Sequence, residues 1–414
     1  MNKKPLKPAT TRGIFFWNMS GSVCNAANTV LMTLIITRIC GADTAGIYSL
    51  ALAIAQVIGS VAYFEVRNFQ VSDTQHEYTF SEYHLFRLLT FSAAACFTIV
   101  WTLWKGYTGE KLQTVFLCCL FQMIEAYEDV FQGLLQINDR LDLAGKSFTF
   151  RIISDTLLFW ILLAVTKNFL LSLLAYTAYA GAWIFLVTIP WSGRFEKPHR
   201  TSLKNIPHLA YACLPIFLTN FLMSYILSAP KYALDEFYPS KMQTYFNILF
   251  MPAAVVNLFT FILYRIYITQ MAKDWNSGNQ KGFIRQILYL LGWIALVGAG
   301  TLTVGWLVGV PFLSWFYGLP KLLDYRRELI VILIGGVFAA AAGWFNVVLT
   351  IIRHQKIQLV VNGMAAAACY FSVKPLVNRF GLMGASFSYL ISMAILFFLQ
   401  VILMAYFVRQ GREQ

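Results

Sequence analysis

Twelve apolar stretches, each of about twenty residues or more, follow one another along the chain with charged or turn-forming residues between them. They cover residues 14–37, 46–66, 86–106, 114–136, 148–166 and 168–191, then 208–229, 242–266, 284–310, 328–352, 357–376 and 383–408. A helix rises 1.5 Å per residue, so about 20 apolar residues cross the hydrocarbon of a bilayer. Lipid offers no partner to backbone N–H and C=O groups, which leaves the helix as the form such a crossing takes. Composition agrees: 58% of the 414 residues are apolar or aromatic and 12% are charged, against about 45–50% and about 25% in soluble domains. The sequence predicts an all-α polytopic membrane protein with about twelve transmembrane helices, and it excludes a soluble enzyme.

Thirty-two Lys and Arg face nineteen Asp and Glu, a net charge of +13. The cations sit between apolar runs, where the positive-inside rule expects them, so nucleic acid is not implied as a partner. An even number of spans puts both termini on one side. With the termini cytoplasmic, the inner segments hold 21 of the 32 cations, among them Lys3, Lys7, Arg87, Lys146, Lys197, Arg200 and Lys273. Trp101, Trp104, Trp191, Trp315 and Tyr317 fall near span ends, as interface anchors do. The run from Ile14 to Thr37 is too long for a signal-peptide core and is read as a first span that is retained.

No connection exceeds about twenty residues, too short for a catalytic domain. Glycine-rich phosphate cradles, Walker motifs and nucleophile elbows are missing, so neither an enzyme nor a cofactor is expected. The seven cysteines make no CxxC or His-paired spacing and read as small packing residues, with no metal site. The five histidines (His76, His84, His199, His208, His354) lie in or beside connections expected to be cytoplasmic and read as surface residues.

The two halves carry matching landmarks. Arg38 ends span one, Gly46-Ile47-Tyr48 opens span two and Arg67 closes it; Lys231, Gln243-Thr244-Tyr245 and Arg265 do the same in the second half. The offsets are 193, 197 and 198 residues. Two pseudo-symmetric six-helix lobes follow: 1–200, ending in a basic cytoplasmic linker, and 201–414.

Span four places Gln122, Glu125, Asp129, Gln132 and Gln136 on one stripe at helical spacing, with Glu128 beside it. A carboxylate at the centre of a span costs about 2.5–3.5 kcal/mol on insertion scales, so three of them face water or cations. Two readings are open: the stripe lines a wet cavity and carries a coupling ion, or it forms salt bridges with Arg140 and Arg151. Arg151 and Asp155, at i and i+4, read as a structural pair. Span one carries Asn18, Ser22, Asn25, Thr29 and Thr33 on one face; span seven carries Asn220, Ser224 and Ser228, then Lys231 after an expected bend at Pro230. The hydroxyls read as helix glue, and Asn25 and Asn220 as cavity lining. Arg38, Arg67, Lys231 and Arg265 either wall a cleft for an anionic head group, to which arginine's planar fork is suited, or snorkel to lipid phosphate.

Several segments resemble the Wzx-type oligosaccharide flippases, the polysaccharide-transporter branch of the multidrug/oligosaccharidyl-lipid/polysaccharide (MOP) exporter superfamily. They are TRICGADTAGIYSLALAI (37–54), EVRNFQVSD (65–73), AYEDVFQGLLQINDRLDLAGK (126–146), SAPKYALD (228–235), MQTYFNILFMP (242–252) and GLMGASFSYLISM (381–393). The resemblance implies a MATE-like V-shaped bundle that alternates between inward and outward openings. It implies a cargo of undecaprenyl-pyrophosphate-linked oligosaccharide, moved to the outer leaflet of a bacterial inner membrane, with glycosyltransferases and a polysaccharide polymerase as partners. Arg67 and Arg265 match the cationic cavity residues of that family. A multidrug or cation antiporter of the same superfamily is the first alternative, and a membrane-embedded polymerase the second.

Overall fold

The computed structural model describes residues 9–73, 75, 77–352 and 355–410, without the side chains of 255, 258, 259, 261–266, 269, 276, 355, 356 and 408–410. The N-terminal lysines, His76, His354 and the side chain of Arg265 therefore lie outside the described residues. Among those described there is no strand.

The first six spans are α1 (Thr11–Cys40), α2 (Ala42–Tyr63), α4 (Phe80–Lys105), α5 (Gly109–Ile137), α6 (Leu141–Thr166) and α7 (Phe169–Trp183). A short α3 (Val66–Ser72) continues α2 beyond a break, and α7 passes through a π-turn at Ile184–Thr188 into α8 (Ile189–Ser192). The second six begin with α9 (Ile206–Phe237), α10 (Lys241–Asn276) and α11 (Gln280–Val304), which leads through a second π-turn into α12 (Val310–Tyr317). They end with α13 (Arg326–Ile351) and α14 (Gln355–Gln410), and Gly381 breaks α14 into two spans with φ 57° and ψ −130°. Nine helical stretches are long and apolar enough to cross a membrane. The charged α5, the polar-ended α10 and the division of α14 bring the described spans to the expected twelve. Large apolar side chains such as Leu103, Val165, Leu186 and Phe371 are about three-quarters exposed along these helices, the surface that lipid would cover. This is a multi-pass membrane protein.

Helices outrun the apolar windows where polar residues start them. The α4 helix begins at Phe80 because Thr79 and Glu82 form a reciprocal cap: the Glu82 carboxylate accepts from Thr79 N–H at 2.8 Å, and Thr79 Oγ1 accepts from Glu82 N–H at 3.3 Å. In α9 the helix continues past Pro230 to Phe237. Tyr317 is 1% exposed and donates to Met251 Sδ at 2.9 Å, so it is a core residue and not an interface anchor.

The chain divides into two compact units, Met1–Gly41 with Ala51–Phe217, and Ala42–Leu50 with Leu218–Gln414. In the first, Val66, Phe80, Phe86, Val130, Phe131, Leu134 and Leu209 form an apolar core. In the second, Phe283, Ile287 and Leu290 of α11 pack with Trp344, Phe345 and Val348 of α13. The opening turns of α2 belong to this second unit. Thr244 donates to the Ala42 carbonyl at 2.6 Å, and a Cβ on Gly46 would stand 1.8 Å from the Ser240 carbonyl oxygen. A backbone oxygen cannot rotate away, so Gly46→Ala is expected to cost about 1–3 kcal/mol through overpacking. Gly292→Ala, with nothing within 4 Å of its new methyl, should be neutral or stabilising through helix propensity. Melting of the detergent-extracted protein, followed by fluorescence-detected size exclusion, checks the pair; equal midpoints would refute the contact.

Candidate functional site

The site is built on α5 in the first unit. One face of this helix is apolar, and Val115, Cys119, Ala126 and Val130 are buried. An adjoining face carries the acidic stripe, and each of its acids meets an arginine from another helix. Asp129 Oδ1 pairs with Arg67 Nη1 of α3 at 3.0 Å, and its Oδ2 with Arg87 Nη2 of α4 at 3.3 Å. The Arg67 fork also donates to Gln132 Oε1 at 3.1 Å and to Gln136 Oε1 at 3.0 Å. Three of the five stripe positions thus converge on one guanidinium.

A second node forms around Arg151 of α6, which is 1% exposed. Its Nη2 donates to Glu125 Oε1 at 2.6 Å, its Nε lies 3.0 Å from Glu128 Oε2, and its Nη1 lies 3.6 Å from Asp155 Oδ2. The guanidinium lies over the rings of Phe121 and Phe148, at 5.7 and 5.6 Å, where cation–π attraction adds to the ion pairs. Glu128 is also buried at 1% and accepts from Thr188 Oγ1 at 2.7 Å. The i, i+4 pair of the sequence is real, but Arg151 makes its shorter contacts with α5. Arg140 pairs with Asp142 instead, through two bonds of 2.9 Å.

Between the nodes lies a pocket of about 230 Å³. Asn18, Ser22, Tyr63, Arg67, Asp129 and Arg151 are among its lining residues. A second pocket, about 350 Å³, shares Tyr63, Arg67 and Asp129 in its lining and adds Glu65, Asn68 and Gln136. Small residues let α1 approach this wall: a Cβ on Gly145 would meet the Asn18 backbone nitrogen at 2.9 Å, and Asn18 Nδ2 donates to the Leu141 carbonyl at 3.2 Å.

The other sequence candidates are placed differently. Asn25 and Arg38 are exposed on α1 and line neither pocket. Ser22, Thr29 and Thr33 donate to carbonyls one turn earlier, at 3.0, 3.4 and 3.0 Å, the local bonds of helix glue. In the second unit Asn220 is exposed, whereas Lys231 is buried and donates to Asn247 Oδ1 at 2.8 Å. Its carbonyl accepts from Gln243 Nε2 at 2.5 Å. Arg38 and Lys231, matched by sequence offset, occupy opposite surroundings; Tyr48 and Tyr245 are both 5% exposed. His84 also departs from its surface reading, because its ring is half-buried and bonded to Tyr127 at 3.0 Å.

Arg87 is the site residue that sequence reasoning missed. It was counted among the inner-loop cations because its window opens at Phe86, yet the guanidinium is fully buried. An ionisable group inside a helix this apolar is itself the signal that could have found it.

No family model and no curated protein sequence matches the chain. Solved structures do. The lipid II flippase MurJ, in an inward closed conformation, superposes with a TM-score of 0.74 at 12% identity, over 95% of this chain and 87% of that one. An inward-facing multidrug resistance MATE family transporter of the MOP superfamily gives 0.63 at 14% identity, over 95% and 96%. The Vibrio cholerae MATE transporter VcmN gives 0.63 at 12% identity, over 96% and 97%. The chain has the MOP-transporter fold. The fold class expected from the sequence is thereby borne out; at such identities the likeness speaks for the fold alone.

Proposed function

We propose that the chain is a flippase that moves an undecaprenyl-pyrophosphate-linked oligosaccharide from the inner to the outer leaflet of a bacterial plasma membrane by alternating access. The observation that carries this reading is the pairing of Glu125, Glu128 and Asp129 of α5 with arginines from other helices. A cation exporter needs a carboxylate open to its cargo. Here Glu125, Glu128 and Asp129 are already engaged by arginines, and Arg67, a quarter exposed, borders both pockets. A planar, permanently charged fork suits phosphate oxygens. A charged, hydroxyl-rich head group cannot cross hydrocarbon unaided, since each polar group buried without a partner costs several kcal/mol. A polar pocket replaces that hydration while the prenyl tail stays in lipid. The fold shared with a lipid II flippase supports the reading. Arg38, Lys231, Arg265, Asn25 and Asn220 remain proposed cargo residues, and the α5 acids proposed coupling groups. Glycosyltransferases would supply the cargo and a polymerase would consume it.

One observation favours the antiporter: four carboxylates (Glu125, Glu128, Asp129, Asp155) face three arginines, which leaves a net negative charge. Liposomes holding the purified chain and a fluorescent polyprenyl-pyrophosphate oligosaccharide separate the two. Dithionite should bleach only the outer leaflet of empty vesicles and both leaflets where the chain flips. Bleaching of the outer leaflet alone, with proton-driven efflux of ethidium, would replace the flippase with the antiporter.

Direction depends on orientation, with both termini proposed to be cytoplasmic. Cysteines placed at Lys197 and at Lys321, in a chain cleared of its own cysteines, should differ in intact cells. An impermeant thiol reagent should label the second alone, and labelling of the first alone would invert the topology.

A further inference from the structure

Asp129 has two arginine partners of opposite character. The Arg67 side chain is 25% exposed and borders both pockets, whereas Arg87 is 0% exposed and borders neither. Arg87 is also fixed from behind. Its Nη1 donates to the carbonyls of Ala62 and Tyr63 at 2.5 and 2.6 Å, and Thr90 Oγ1 donates to the Ala62 carbonyl at 2.8 Å. These carbonyls sit at the break between α2 and α3, where Phe64 and Glu65 take left-handed φ values of 39° and 54°. Two consecutive residues with a Cβ in that region are strained, and they persist only where their surroundings hold them. Arg87 therefore anchors the break, and Arg67 stands two residues beyond it.

We infer that Arg87 is the permanent counter-ion of Asp129, a positioning residue that allows Arg67 to leave Asp129 for the phosphate of a ligand. The inference rests on the flippase reading for the ligand's identity. Without Arg87, the departure of Arg67 would strand a largely buried carboxylate, and the exchange would be strongly opposed. With it, Asp129 keeps one ion pair throughout. Asp129 Oδ1, Gln132 Oε1 and Gln136 Oε1 then act as placeholders, meeting the Arg67 fork as phosphate oxygens would. In this scheme Asp129 competes with cargo for Arg67, in contrast to the ion-coupling role read from its stripe.

The test is binding of a nitrobenzoxadiazole-labelled short-chain polyprenyl diphosphate to the purified full chain in detergent. Asp129→Asn removes the competing charge and should tighten binding about threefold or more, while Arg67→Ala should weaken it at least about tenfold in either background. Arg87→Met should weaken binding about tenfold, because Asp129 then holds Arg67 alone. The double variant Arg87→Met with Asp129→Asn should recover it. An arginine that only anchors the break would show no such rescue, since both variants lose the same carbonyl bonds. Equal or weaker binding by Asp129→Asn overturns the inference, as does a double variant no better than Arg87→Met. If Arg87→Met does not fold, the Asp129→Asn result decides alone. A wild-type chain that binds no probe sinks the flippase reading instead. In that case Arg67 modification by phenylglyoxal, mapped by mass spectrometry, decides the exchange: faster modification in Asp129→Asn supports it and an unchanged rate refutes it.

Discussion

Replacing Arg151 with methionine is expected to remove most folded protein from the membrane. The guanidinium is 1% exposed and is the cation shared by Glu125, Glu128 and Asp155, of which Glu128 and Asp155 are themselves 1% and 0% exposed. Breaking one buried ion pair from one side costs about 3–5 kcal/mol, and here three carboxylates lose their partner together. Typical stabilities are about 5–15 kcal/mol, so the loss is of the order of the whole. Arg151→Lys keeps the charge but cannot reach three acceptors with one ammonium, so an intermediate loss is expected. The decisive comparison adds Glu125→Gln, Glu128→Gln and Asp155→Asn to Arg151→Met. A network with its charges removed from both sides should recover extraction as a monodisperse peak, because uncompensated charge is what the single variant suffers. A single variant that elutes and melts like wild type would show that the node contributes nothing to folding.

The same node shows where sequence reading stops. The acidic stripe was legible because its spacing repeats along one helix, and Gln122 to Gln136 needed no knowledge of any other element. Its partners were not legible, since Arg67 lies 62 residues from Asp129 and Arg151 lies 26 from Glu125. The choice between Arg140 and Arg151 depended on what each side chain meets, Arg140 at the start of α6 and Arg151 well inside it. Spans were legible to within a few turns because lipid imposes a length and an apolar character on each. Their polar ends were hidden: α4 starts six residues before its apolar window, and α6 starts seven before. That extension is what turns Arg87 from an apparent loop cation into a buried one. Glu128 stands beside the stripe in the sequence, yet its 1% exposure makes it more deeply enclosed than Asp129 on the stripe itself. Symmetry between the halves was legible in spacing only. Arg38 and Lys231 share an offset and differ in burial, since offset records position along the chain and not the neighbours that fill the space around it.

Arg67→Ala is expected to cut flipping by roughly 10- to 100-fold at equal membrane level, the loss of a charge-assisted bond worth about 1.5–3 kcal/mol. The fork is what the site uses: Nη1 and Nη2 already span Asp129, Gln132 and Gln136 at 3.0–3.1 Å, and a pyrophosphate would offer oxygens to the same two nitrogens. Lysine keeps the charge without the fork, so Arg67→Lys should retain partial function. Arg265 is its counterpart by sequence offset, and the same order of arginine above lysine above alanine is expected there. A snorkelling arginine would behave otherwise, because lysine reaches lipid phosphate equally well and alanine would chiefly lower the amount of protein in the membrane. The measurement is accumulation of lipid-linked oligosaccharide on the inner leaflet, normalised to membrane protein. Wild-type flipping by the alanine variants at both positions would leave Arg67 as a structural partner of α5 and remove the cationic pocket as the basis of cargo recognition.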